Sequence, residues 1–286
     1  MKIFGHQPTR TAWFGLVVIA IFLLVSLLVP WLAPYPEAEN VGGTWDEPSA
    51  KTLLGTDQIG RDMLTRVMYG SRMTISVALA ITALSFLIGT LLGFISAVVG
   101  GWLDALFMRL LDVMLSIPSL IFALIILGVF GSSIPVLILT IAVLDSTRVF
   151  RLARALGMNL AVMEYVEAAR LRGEGLWWII TREILPNARA PLVSEFGLRF
   201  CFNFLFIAGL SFLGLGIQPP YADLGGMVRE NAEGIGFSIT DEGINFGMLA
   251  SMYPATAIAL LTVSINLVVD WMLSIDARPS GAQAEL

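Results

Sequence analysis

Few residues in this chain could carry out covalent or metal chemistry. His6 is the single histidine, Cys201 the single cysteine, and Lys2 and Lys51 are the two lysines. That poverty argues against a histidine-centred catalytic relay and against a Cys/His metal cage. One cysteine excludes an intrachain disulfide. A phosphate-binding loop needs Gly-x-x-x-x-Gly-Lys-Ser/Thr, so that backbone N–H groups and the lysine cradle the phosphates. Lys51 precedes Thr52, but Ala50 stands where the glycine is required. The chain therefore has no route of this kind to ATP, and no cofactor is expected on it. Any ATP and magnesium would have to sit on another polypeptide.

The remaining candidates are charged pairs. Glu195 and Arg199 are four apart, one turn of a helix. They read as an intrahelical pair, or as a pore-mouth or subunit contact. Arg109 and Asp112 are three apart and read as a structural ion pair, with a pathway or subunit contact as the sharper alternative. Asp145 precedes Arg148 by one turn and could be neutralised by it. Arg148, Arg151 and Arg154 form a basic stripe suited to anionic lipid or to a soluble partner. Asp57 and Asp62 in "LGTDQIGRD" are too few and too widely spaced for a calcium loop. Thr56 or Asp57 reads better as a helix N-cap, with Gly55 and Gly60 as turn residues. A gate or subunit contact is the other reading of this stretch.

These pairs must be positioned by apolar elements. The 286 residues are 57% hydrophobic and 14% charged, against about 25% charge in a soluble domain. The chain reads as an all-α membrane protein. The net charge of −5 gives no basic footprint for nucleic acid. About 20 apolar residues cross a bilayer as a helix. Thr11 to Ala33 is one such run, read as an uncleaved first span. Met73 to Leu103 is a second. Val113 to Leu144 is too long for one helix, and "FGSSIP" (Phe130 to Pro135) divides it. The third span starts near Asp104 and the fourth ends near Arg154. Leu192 to Gly216 and Gly243 to Val269 complete six transmembrane helices, with Pro254 a kink within the last. No internal repeat is visible.

Six spans place both termini on one side. The segment between spans four and five carries Arg148, Arg151, Arg154, Arg170, Arg172, Arg182 and Arg189. The next loop is acidic, with Asp223, Glu230, Glu233, Asp241 and Glu242 against Arg229. Arg/Lys excess marks the cytoplasmic side. The expected layout is a cytoplasmic N-terminus (1–10), a first helix (11–33) and a periplasmic segment (34–72). A core (73–273) and a cytoplasmic tail (274–286) follow. Within the core, a cytoplasmic loop covers about 159–190 and a periplasmic loop about 217–247.

The cytoplasmic loop contains "EYVEAARLRGEGLWWIITREILPNARAPL" (Glu164 to Leu192). Good helix formers run from Glu164 to Arg172, and Gly173 and Gly175 break the run. "LWWIITREIL" resumes a helical pattern until Pro186, which lacks an N–H and blocks continuation. Pro191 suits the first turn of the next span. The expected shape is a short helix, a hinge, a second short helix and re-entry into the membrane. At the other end of span five, Gly214 and Gly216 in "LSFLGLGIQPP" suit close helix packing or a pathway contact.

The spacing Glu167-Ala168-Ala169, then Gly173, then Leu185-Pro186 resembles the EAA loop of binding-protein-dependent ABC import permeases. "LLGTDQIGRDMLTRVMYGSR", "MRLLDVMLSIPSL", "EYVEAARLRG" and "LSFLGLGIQPP" together resemble the shorter, C-type membrane subunit of the dipeptide/oligopeptide/nickel permeases. The resemblance implies a type I ABC importer permease fold in the bacterial inner membrane. It implies a heterodimer with a second homologous permease, two ATPase subunits and a periplasmic substrate-binding protein. It assigns the ATPase-docking surface to Glu164, Tyr165, Glu167, Ala168, Ala169, Arg172 and Gly173, and the loop geometry to Leu185 and Pro186. The usual isoleucine of the pattern is Glu183 here, and Arg172 stands where an apolar residue is usual. The cargo implied is a short peptide, with a nickel chelate, an opine or a similar small solute as the alternative. Rival classes are a stand-alone secondary carrier and a membrane enzyme. Ionisable residues are scarce in the central spans, which disfavours the first. The lone His6 and Cys201 disfavour the second.

Overall fold

The computed structural model describes residues 8–236, 239–240, 243–244 and 246–276. Parts of the expected N-terminus (1–10), outward loop (217–247) and tail (274–286) lie outside these residues. The elements are α1 (Arg10–Leu32), α2 (Met63–Val99), α3 (Gly101–Ser116), α4 (Ser119–Phe130), α5 (Ile134–Ala161), α6 (Glu164–Leu171), α7 (Leu176–Trp178), a π turn (Ile179–Ile184), α8 (Leu185–Phe212), α9 (Leu224–Glu230), α10 (Glu233–Gly236), β1 (Ile239–Thr240), β2 (Gly243–Ile244) and α11 (Phe246–Asp276). The only strands among the described residues are β1 and β2, a two-residue antiparallel pair.

Sequence chemistry sets most helix ends. Thr9 Oγ1 accepts the Ala12 N–H at 3.2 Å and starts α1. Asp62 caps α2 by accepting the Thr65 N–H at 2.8 Å. The expected cap residues are otherwise engaged. Thr56 Oγ1 bonds Asp46 N–H and Gly43 C=O at 2.7 Å each, and Asp57 holds two arginines (below). α2 begins ten residues before the expected Met73 and stops where the chain turns at Gly100 and Gly101.

Among the described residues, four helical runs are long and apolar enough to cross a membrane: α1, α2, Leu176–Phe212 and α11. The α3–α4 pair makes five if it is one span, bent by 84° at the break before Pro118. The expected third span is thus not a straight helix, because Pro118 removes an N–H and turns the residue before it to extended backbone. α5 falls outside the count because Asp145, Arg148, Arg151 and Arg154 interrupt its apolar run. Among the described residues there are three apolar clusters, the smallest around Met63, Ala222, Met227 and Ala250. The largest joins α2, α4, α5, α8 and α11 around Ile81, Leu137, Phe204 and Leu261. The second joins α2, α5, α6, the π turn and α8 around Phe94, Ala153, Val166 and Ile184. α2 and α5 pack most closely. A Cβ at Gly89 would sit 2.6 Å from Val149 Cβ, and one at Gly93 2.8 Å from Ala153 Cβ.

The segment before α8 corrects the sequence reading. Pro186 and Pro191 were expected to separate a short helix from the fifth span. Instead the chain is helical without a break from Leu176 to Phe212. The π turn makes this passable. Leu185 N–H bonds Ile180 C=O in the widened register, so the helix is already loosened where the Pro186 ring enters. The clash and the missing donor of a proline are then tolerated.

Candidate functional site

Three polar arrangements stand out in this helical membrane bundle. The first is α6 and its turn. Glu164 and Glu167 lie in its first turn and Arg170 in its last, each matched to the helix dipole. Val166 and Ala169 are fully buried, three apart on one face, and anchor α6 to the second cluster. The opposite face is open. Glu164, Tyr165, Glu167, Ala168, Arg172 and Gly173 are exposed. So are Leu171 at 84% and Val162 at 79%. The turn after α6 is a Schellman motif. Glu174 N–H bonds Ala169 C=O at 3.2 Å and Gly173 N–H bonds Arg170 C=O at 2.9 Å. Gly173 has φ +82°, which a side chain would strain. The Arg172 guanidinium lies 5.6 Å from the Trp178 ring centroid and 3.9 Å from the Glu174 carboxylate. Of the predicted docking set, Ala169 faces inward and the others face out. Leu185 and Pro186 lie within a continuous helical run rather than ending a helix.

The second arrangement lies inside the bundle. Asp145 of α5 is 3% exposed. Its Oδ2 accepts from Ser85 at 3.1 Å and from Asn203 Nδ2 at 3.0 Å. Its Oδ1 lies 3.5 Å from Arg199. Arg199 also pairs with Glu195 at 2.6 Å, as the i,i+4 spacing predicts. Arg148 does not neutralise Asp145. Its guanidinium lies 4.6 Å from the Phe202 ring centroid. The basic stripe is likewise not one free surface. Arg151 pairs with Asp112 at 2.6 Å and Arg154 with Asp104 at 2.6 Å. Asp112 thus bonds across to α5 rather than to Arg109, the partner expected along its own helix. The reason is reach. α3 lies against α5, and the α5 arginines meet both α3 carboxylates.

The third arrangement closes the opposite end. Asp57, fully buried, accepts from Arg61 at 2.6 Å and Arg66 at 2.7 Å. Glu230 of α9 accepts from the same two at 2.9 and 2.8 Å. Asp57 Oδ1 also accepts the Ile59 and Arg61 N–H groups. Asn231 Oδ1 accepts from Trp45 Nε1 and Gln58 N–H, and the Glu37 carboxylate accepts the Ala222 N–H. Residues 34–62 are thereby tied to residues 217–231. Asp223 caps α9 through Gly226 N–H at 2.7 Å. Burial raises its carboxyl to about 6. Burial also raises the Glu230 carboxyl from its ordinary value. Gly214, with φ +87°, forms the Schellman turn that ends α8, with Leu215 N–H on Leu210 C=O at 3.0 Å. The Arg229 guanidinium lies over it. A Cβ at Gly216 would collide with Ser211. Gly214 and Gly216 therefore serve a turn within this chain, not helix-on-helix packing. Sequence reasoning missed Arg66 and Glu230, which are 164 residues apart, and no local spacing signals them. Among the described residues there is no cluster that could hold a metal ion.

Comparison with known proteins gives this bundle its family. Residues 89–278 match the model of the binding-protein-dependent transport system inner membrane component. Residues 9–48 match the N-terminal transmembrane domain of oligopeptide transport permease C. The chain is 37% identical to a dipeptide transport system permease protein of Haemophilus influenzae, over 79% of each chain. It is 36% identical to a probable D,D-dipeptide transport system permease protein of Escherichia coli, over 94% of this chain and 88% of that one. A di/tripeptide transport system permease protein of Pseudomonas aeruginosa is 35% identical over 79% and 76%. The chain belongs to the family of binding-protein-dependent transport permeases, as its motifs suggest. It is a multi-pass inner-membrane component with the type I ABC permease fold.

Proposed function

We propose that this chain is one membrane-spanning permease subunit of an ATP-driven importer of short peptides. Similarity to dipeptide, D,D-dipeptide and di/tripeptide permeases supports the cargo. In this reading α5 and the α3–α4 pair are both spans, which makes six, with both termini and α6 on the cytoplasmic side. The pore is shared with a second, homologous permease. A periplasmic binding protein delivers the peptide, and the chain itself catalyses no reaction.

The observation that carries the mechanism is α6. Its inward face is locked into the bundle by Val166 and Ala169. Its outward face combines carboxylates with exposed Tyr165, Leu171 and Val162. An exposed apolar patch rimmed by charge suits a protein partner. We assign that partner as an ATPase subunit. The same apolar cluster holds the π turn, continuous with α8, so a push on α6 reaches a spanning helix without a loose linker. ATP-driven closure of the ATPases would then tilt α8 and alternate access to the pore.

Gly173→Pro and Glu167→Lys test this in the reconstituted complex. Both are expected to leave ATP hydrolysis running while uptake falls by an order of magnitude or more. Normal peptide uptake in both variants would remove the docking role.

A further inference from the structure

A cleft of about 320 Å³ opens at the bend between α3 and α4, against α5 and α8. Pro118, Ser119 and Leu120 line it on one side, and Asp145, Arg148 and Phe202 on the other. Its volume lies in the range of small-molecule sites. The charges around it are unevenly satisfied. Asp145 is turned away from Arg148 by Ser85, Asn203 and Arg199. Glu195 is held by Arg199. Arg148 has only the Phe202 face, and among the described residues no carboxylate pairs with it. An uncompensated guanidinium within a span costs about 3 kcal/mol on insertion scales, and such residues mark substrate pathways.

The other wall adds donors. α4 starts at Ser119 after Pro118, with no side chain capping it. Phe122 is the first N–H bonded back, to Pro118 C=O. The N–H groups before it lack intrahelical partners and carry the positive end of the helix dipole. An arginine, a serine hydroxyl and a free helix N-terminus around one cleft make a carboxylate receptor. We propose that this cleft is a transit subsite for the C-terminal carboxylate of the peptide, with Arg148 as the binding residue. This rests on the peptide-importer reading. Asp145 acts through position. Because three donors from α2 and α8 engage it, it leaves Arg148 uncompensated for the passing anion.

The test uses the full complex in proteoliposomes, with binding protein and ATP. The cargo is a defined mixture of dipeptides and their C-terminal amides, and uptake is read by mass spectrometry. Arg148→Gln is expected to lower uptake of the free acids about tenfold, the size of one lost charge-assisted hydrogen bond. The small amide uptake should stay unchanged, so the acid-to-amide ratio collapses. Arg148→Lys should keep most of the ratio. Equal losses for acids and amides, or no loss, would overturn the subsite. If Arg148→Gln fails to assemble, Ser119→Ala gives the same reading, with a smaller fall in the ratio. A wild-type complex that imports no peptide at all would sink the peptide reading itself, and this subsite with it.

Discussion

The two ends of the bundle carry similar numbers of charges and treat them in opposite ways. At the α9 end, Asp57, Arg61, Arg66 and Glu230 close on one another, and Asn231 and Glu37 satisfy neighbouring backbone. At the α6 end, Glu164, Glu167 and Arg172 point outward beside Leu171 and Val162. A closed charge network holds two segments in one geometry. An open one leaves its groups for a partner. The difference separates an end whose charges are satisfied within the chain from one whose charges stay exposed, the end proposed above to meet the ATPase.

The comparison can be broken most sharply at the closed end. Arg66→Met leaves the buried Asp57 with one arginine instead of two. Breaking a buried pair costs about 3–5 kcal/mol, so thermal unfolding in detergent should shift strongly downward. A shift as small as that of a surface substitution would mean the network is not holding this end together.

Asp223 gives a smaller, pH-dependent signature. Its carboxyl titrates near 6 folded against an ordinary 3.8. Between roughly pH 4 and 6 the folded chain keeps a proton that the unfolded chain loses. Stability from this group therefore falls as pH rises through that window and is level above it. Asp223→Asn keeps an α9 cap and should flatten the slope of melting temperature between pH 4 and 6. An unchanged slope would place the titration elsewhere.

At the open end the expected stability effect is smallest. Leu171→Asp alters a side chain that is 84% exposed, so stability should stay within about 0.5 kcal/mol. Peptide uptake should nevertheless drop, and copurification of the ATPase should weaken. A loss of stability without loss of copurification would make α6 an internal strut.

Several features were legible locally. The apolar runs announced α1, α2 and α11, and Gly173 announced the end of α6, because a left-handed residue after a helix favours glycine. The Glu195–Arg199 pair followed from one-turn spacing. Local rules failed at Pro186, where a π turn accommodates the ring. They failed again at Asp112 and Asp145. Each has an arginine one turn away along its own helix but bonds an arginine of a neighbouring helix instead.

The sequence alone settled composition, helical periodicity and the spacing of the EAA segment, since these depend on hydropathy and on residues within a few turns of one another. It thereby determined a helical membrane protein and pointed to its family. Only the tertiary structure decided which charges meet. Arg66 finds Glu230, Arg151 finds Asp112, and Arg148 is left facing a cleft. In an apolar interior, charge pairing depends on which helices lie side by side, and sequence distance carries no record of that.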